Sequence, residues 1–181
     1  MPGFISKVVF LPEKNTGIII LNNGFNLHCN NALLFSYLDI ILEKEINNWT
    51  AYYLQEQQNF NEYRKQLNNK RIANRKINTK PSLKLSKYAG TYEDIMYGIA
   101  KVYLENDELN ITFLPSSKFL HSKMEHWHDN HFKVNFNDVY LPFDIIQFDV
   151  DTLSNQVNGF KINLPNNDFH FHNLDFKKLN K

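Results

Sequence analysis

Six of the seven histidines follow residue 120, and four of them form two pairs of one spacing: His126 with His128, and His170 with His172. On an extended strand, residues two apart project from one face. Two such pairs on neighbouring strands would offer four imidazoles to zinc or copper, with Zn–N bonds of about 2.0–2.1 Å. The spacing brings no carboxylate with it. A packing role explains the pairs without ligation: Trp127 sits in the barrel and the imidazoles are hydrogen-bonded or half exposed around it. The expectation is no native metal and no cofactor. Four aromatics, Tyr88, Tyr92, Tyr97 and Trp127, are the candidates to line a ligand cup, with ordinary core as the plainer reading. Gly90 and Gly98 suit bends or bulges, because nothing around them forms a phosphate loop. The single cysteine, Cys29, excludes an intrachain disulfide and a Cys-based structural zinc site.

Three kinds of segment must position these residues. The first is a hairpin over residues 7–22: Lys7–Leu11 and Gly17–Leu21 are β-branched runs around Pro12-Glu13-Lys14-Asn15-Thr16. Both strands are apolar without clean alternation, which predicts cover on both faces. The second is helical, from about 31 to 76. Leu34, Leu38, Ile41, Glu45, Trp49 and Tyr53 fall at spacings of three and four, mostly apolar on one face, and Asn30 or Asn31 is the expected cap. Asn47-Asn48 marks a break, with Asn48 capping a second helix through Tyr52, Phe60, Tyr63 and Leu67. The third segment, 81–181, reads as antiparallel β. Runs at 98–103, 108–113, 132–136, 145–150, 160–162 and 169–172 alternate between turn signals, and most of the fifteen phenylalanines lie here. The fold class is therefore α+β: a hairpin and long helical arm over 1–80, then a small barrel over 81–181.

Composition and charge narrow the function. With 181 residues, 43% hydrophobic and a net charge of +1, the chain can build a core, which excludes wholesale disorder. No apolar run approaches the ~18–20 residues of a membrane span. Residues 1–92 hold 12 Lys/Arg against 6 Asp/Glu, and the excess concentrates in Arg64–Lys87, with nine cations and no acid. That stretch carries no aromatic and no recognisable binding module, so it reads as a solvated helix end running into a linker. Nucleic acid is not an expected partner.

Two passages resemble a known family. Residues 2–23, PGFISKVVFLPEKNTGIIILNN, resemble the last strands of the serine beta-lactamase-like and penicillin-binding-protein-like hydrolases, with a terminal helix following as expected here. The other passage is Tyr88-Ala89-Gly90-Thr91-Tyr92, then Met96-Tyr97-Gly98, then His126-Trp127-His128-Asp129-Asn130-His131-Phe132. It is similar to the lipocalin-like domain of unknown function that trails many of those hydrolases. The family's nucleophile lies in Ser-x-x-Lys, where the lysine helps activate an otherwise unreactive hydroxyl. This chain has no Ser-x-x-Lys, Tyr-x-Asn, Ser-x-Asn, Lys-Thr-Gly or His-x-Gly; Asn15-Thr16-Gly17 falls on the hairpin turn.

The resemblance implies a C-terminal piece of a larger hydrolase, and Met1 falls about where the third motif would just have ended. The expected function is a non-catalytic accessory domain that packs on or modulates the parent catalytic domain. The parent would hydrolyse amide or ester bonds, with peptidoglycan-like or D-amino-acid peptides as the substrates the resemblance implies, and is of a kind often exported. The alternative is a small-ligand or metal-binding β-barrel module. The orphaned hairpin adds a further expectation, self-association through residues 1–50, against the option that the hairpin folds back on its own helix and stays monomeric.

Overall fold

The computed structural model describes residues 4–24, 26–137, 141, 143–164 and 171–179. The chain divides into two compact units, Met1–Asn74 and Arg75–Lys181.

In the first unit, β1 (Ile5–Leu11) and β2 (Thr16–Asn22) pair antiparallel from Ile5–Asn22 to Leu11–Thr16. A 3-10 turn at Pro12–Lys14 and a left-handed Asn15 connect them, proline and asparagine supplying the backbone angles such a turn needs. Two helices follow, α1 (Leu27–Ile41) and α2 (Trp49–Ala73). Asn48 caps α2 as expected, accepting from the Ala51 N–H at 3.0 Å. The start of α1 differs. Its cap is Asn26, which accepts from the Cys29 N–H, and the helix begins before residue 31. Asn30 lies inside the helix, fully buried, because it has another task. Its amide donates to the Ile5 carbonyl at 3.3 Å and its oxygen accepts from Asn22 Nδ2 at 3.0 Å, tying the hairpin to the helix. Asp39 plays the same part between helices. Its Oδ2 accepts from the Trp49 indole at 2.7 Å and from the Asn47 backbone at 3.0 Å, donors that hold its carboxyl below the usual range.

The hairpin's expected cover is met on one face only. α1 packs against both strands. Thr16 bonds Tyr37, and Lys7 bonds Asn31. The burial pattern alternates along both strands, and Val8, Phe10, Ile19 and Leu21 on the other face are exposed. Sequence could not show this, since both faces are equally apolar.

The second unit is an α+β remainder dominated by sheet. After the short α3 (Leu85–Tyr88) come eight strands: β3 (Gly90–Asp94), β4 (Gly98–Glu105), β5 (Glu108–Phe113), β6 (His121–His128), β7 (His131–Val134), β8 (Asp144–Asp151), β9 (Gln156–Ile162) and β10 (Phe176–Lys178). Each pairs antiparallel with the next, and β10 closes on β3, giving a barrel with no free edge. The tight turns use the residues that tolerate positive φ: Asn106, Asp107, Asp129 and Asn155. The expected strand at 169–172 is corrected: residues 169 and 170 lie outside the described residues, and Phe171–Asn173 form a 3-10 turn.

Rings fill the barrel. Tyr88, Tyr92, Phe113, Phe132, Phe148, Phe160 and Phe176 are all buried and pack mostly edge to face at centroid distances from 5.0 to 6.3 Å, with Phe160 stacked on Phe176 at 4.6 Å. An eight-stranded barrel has an interior of about the width side chains fill.

Candidate functional site

The chemistry-bearing residues meet at the β6–β7 turn. β6 runs in register with β7 through Met124–Val134 and His126–Phe132, then slips by a bulge before His128–His131. The paired register puts His126 on the side of Phe132, which lies in the core. Trp127 is the extra residue of that bulge and lies outside the core cluster, which corrects the expectation that it sits in the barrel. It is nevertheless buried, because Arg75 lies over its ring at 4.4 Å. The guanidinium also donates from Nε to the Trp127 carbonyl at 2.7 Å and from a terminal nitrogen to the His126 carbonyl at 3.1 Å. A planar fork that stacks and donates at once is a task for arginine.

The rest of the 75–83 segment follows Arg75 along the turn as a strap. Lys76 pairs with Asp129 Oδ2 at 2.7 Å, and the Asp129 N–H donates to the Thr79 hydroxyl at 2.9 Å. The next turn residue, Asn130, accepts from the Ser82 N–H at 2.9 Å and from the Tyr88 hydroxyl at 2.6 Å. His126 donates from Nε2 to the Asp129 carbonyl at 2.9 Å. His128 Nδ1 lies 3.3 Å from Asp129 Oδ2. The Lys76 ammonium, more than His128, holds the Asp129 carboxyl below its ordinary value against the contrary effect of burial. The His128 ring also lies against that of His131, tilted by 31° with centroids 4.3 Å apart. Burial first and the neighbouring His128 second push the His131 imidazole below its ordinary value.

The four candidate cup residues do not share one place. Tyr88 and Tyr92 are joined, the Tyr92 hydroxyl donating to the Tyr88 carbonyl, and both are fully buried. Burial pushes both phenols above their ordinary value, Tyr92 well above it. Tyr97 packs on Phe113 and Phe176, while Trp127 lies under Arg75. Of the second histidine pair, His172 sits in the 3-10 turn and is exposed, and His170 lies outside the described residues. Among the described residues, no three His, Cys, Asp or Glu side chains gather where a metal ion would fit.

Next to the turn is a shallow cleft of ≈ 260 Å³. Leu85, Leu109, Met124 and Phe132 form its apolar lining, with Glu108, Lys123, Glu125 and His126 around it. Two of these carboxylates already have cations, Glu108 with Lys123 and Glu125 with Lys133 at 3.4 Å. Sequence reading misses Arg75, Lys76 and Thr79, and meets Asn130 only as a turn and motif residue. The first two read as solvated helix-end cations, and nothing local in a single sequence couples residue 75 to a tryptophan 52 positions away.

Closed barrel, ring-filled core and strapped turn together define a small antiparallel β-barrel domain. The chain belongs to a family described as a domain of unknown function (DUF3471), whose model matches residues 74–178. The match begins where the strap begins. No curated protein matches the chain. Among solved structures, the C-terminal domain of the penicillin-binding protein Rv0907 is similar at 17% identity, over 58% of this chain and 94% of that one, with a TM-score of 0.43.

Proposed function

We propose that this chain is a non-catalytic accessory region of a serine beta-lactamase-like hydrolase, with its barrel packing on and modulating a catalytic domain. One observation carries the reading: a single chain joins the family's barrel, over 74–178, to a hairpin that resembles the last strands of those hydrolases. The physical character of the barrel supports it, because a core filled by rings is a rigid body suited to packing against a neighbour. The parent would cleave amide or ester bonds without a metal. This chain would not, since a serine needs a neighbouring lysine or other base to become a nucleophile and no such motif is present.

The test supplies a catalytic domain of that class, shortened before its final hairpin, together with the full chain. Binding and recovery of ester or chromogenic cephalosporin hydrolysis, with none from the chain alone, is the expected result. Stoichiometric acylation of a serine in the chain alone, seen by intact mass, would overturn it.

A second reading, a small-ligand module, draws on the apolar-lined cleft beside His126. Shifts of the Leu109 and Met124 methyl resonances on titration with a small apolar amine would favour it; unmoved methyls would dismiss it.

A further inference from the structure

The outer face of the hairpin is built from Ser6, Val8 and Phe10 on β1 and Gly17, Ile19 and Leu21 on β2, by the alternation of burial and the pairs Ser6–Leu21, Val8–Ile19 and Phe10–Gly17. None of the six is charged, and none is proline. A contiguous exposed apolar patch of this kind marks an interaction site. Here the strands pair continuously and the only lysine within either strand, Lys7, turns to the covered face and bonds Asn31. A Cβ at Gly17 would come within 2.8 Å of the Val9 carbonyl oxygen and 3.1 Å of Phe10 Cδ1, so the glycine leaves room for the phenyl ring beside it. Val8 is 54% exposed, Phe10 73%, Ile19 65% and Leu21 79%.

We propose that this face is a self-complementary interface, occupied by the same face of a second copy of this chain. The two hairpins would pack as a small sandwich about a two-fold axis. Because the face carries no charge, like meets like without repulsion, as an isologous contact requires. Its area is adequate. The four large side chains at those exposures, with Phe4 beside them, remove roughly 500–600 Å² per copy from water, so about 1,000–1,200 Å² in total, at the small end of specific interfaces. A sheet-on-sheet pair spaced about 10 Å apart interdigitates such side chains. The unit behind the face gains most from the cover, since two strands alone are marginal in water.

The experiment is sedimentation velocity of the full 181-residue chain across the micromolar range, beside Ile19→Lys, Ile19→Thr and Phe10→Gln, with Leu153→Lys on the barrel as control. Wild type and the control should dimerise. Ile19→Lys should weaken the dimer by about 100-fold or more, as loss of a central apolar anchor does, with helical circular dichroism unchanged. If the lysine unfolds the hairpin unit, Ile19→Thr, which keeps a β-branched residue, carries the test. A wild-type monomer at high micromolar concentration would overturn the proposal, as would a dimer indifferent to the Ile19 and Phe10 changes. Hydrogen exchange separates face from edge. Face packing leaves the outward strand-edge amides exchanging, so their protection in the dimer would mean strand addition and defeat this arrangement. Open-ended oligomers would defeat it too, since a two-fold contact closes. The proposal uses the hairpin on which the hydrolase reading also rests, but the outcomes separate the two: a monomeric chain that still binds the shortened catalytic domain would sink this one and leave that one standing.

Discussion

Asp94 illustrates how much one carboxylate can organise. It ends β3 almost fully buried, and its two oxygens accept from three backbone N–H groups: Met96 at 2.8 Å, Tyr97 at 2.9 Å and Asp175 at 2.8 Å. Burial raises its proton affinity, yet the three donors together hold the carboxyl below its ordinary value. It therefore pins the β3–β4 turn and the approach to β10 at once. Asp94→Asn puts an amide NH₂ against at least one N–H donor, and should cost on the order of 1–3 kcal/mol at neutral pH by urea unfolding. A carboxyl whose folded pKa is depressed contributes fully above its unfolded value of about 3.9, and the contribution disappears as pH falls through the folded value. The gap between wild type and Asp94→Asn should therefore narrow below about pH 4. A gap constant with pH would show that the carboxylate form is not what matters. Arg75 is the second residue with a specific signature. Replacing it by Lys keeps the charge but loses the flat fork over Trp127 and the paired donation to two carbonyls. In a Trp49→Phe background, Arg75→Lys and Arg75→Ala should both red-shift Trp127 fluorescence as the indole gains water. An unshifted spectrum in Arg75→Lys would reduce the arginine to a mere charge.

At the scale of elements, closure of the barrel depends on β10, a strand of three residues. Its partner β9 carries Gly159 opposite Lys177. A Cβ at Gly159 would come within 2.2 Å of the Phe176 carbonyl oxygen and 3.2 Å of its carbon, both backbone atoms that cannot step aside. Gly159→Ala should therefore open the β9–β10 seam or cost at least about 3 kcal/mol, more than core overpacking usually does. Loss of amide protection at Lys177, with β4–β5 protection retained, is the readout; a stability within error of wild type would refute it. The same strand shows where sequence reading runs out. β4, β5, β7, β8 and β9 are legible because apolar and polar residues alternate in them between turn signals. Phe176-Lys177-Lys178 is too short for any period, and β3 and β6 enter the sequence reading only as motif residues. The helix break and the Asn48 cap could be read, being local chemistry. The Asn26 cap was displaced in the reading because Asn30 and Asn31 have the same propensity, and only the hairpin's carbonyl explains why Asn30 is buried. The strap was illegible for a related reason: Arg75, Lys76 and Thr79 find their partners through the barrel and not through their neighbours in sequence.

For the molecule as a whole, the two units are held together internally by different means and should not melt alike. The barrel buries some twenty apolar side chains in one cluster, closes every strand on a partner and leaves no edge. Among the described residues the first unit's buried apolar side chains are Ile20, Ala32 and Leu34, backed by half-buried aromatics: Phe35 lies 4.9 Å from Trp49 and 6.0 Å from Tyr53. α2 has 25 residues and none of them buried, so its far half has little but intrinsic propensity to hold it. Small units with thin cores are marginal, and burial scales in the barrel's favour. Two transitions should therefore appear on heating. Ellipticity at the helical band, which reports α1 and α2, should fall first, and near-ultraviolet signals from the ring-filled barrel should persist to a higher temperature. Only the first transition should move upward with protein concentration, because the second copy covers the hairpin and not the barrel, and binding to the folded form stabilises it by mass action. Ile19→Lys should abolish that concentration dependence without touching the second transition. One coincident transition by both probes, insensitive to concentration, would mean that the thin unit draws its stability from a source other than a second copy.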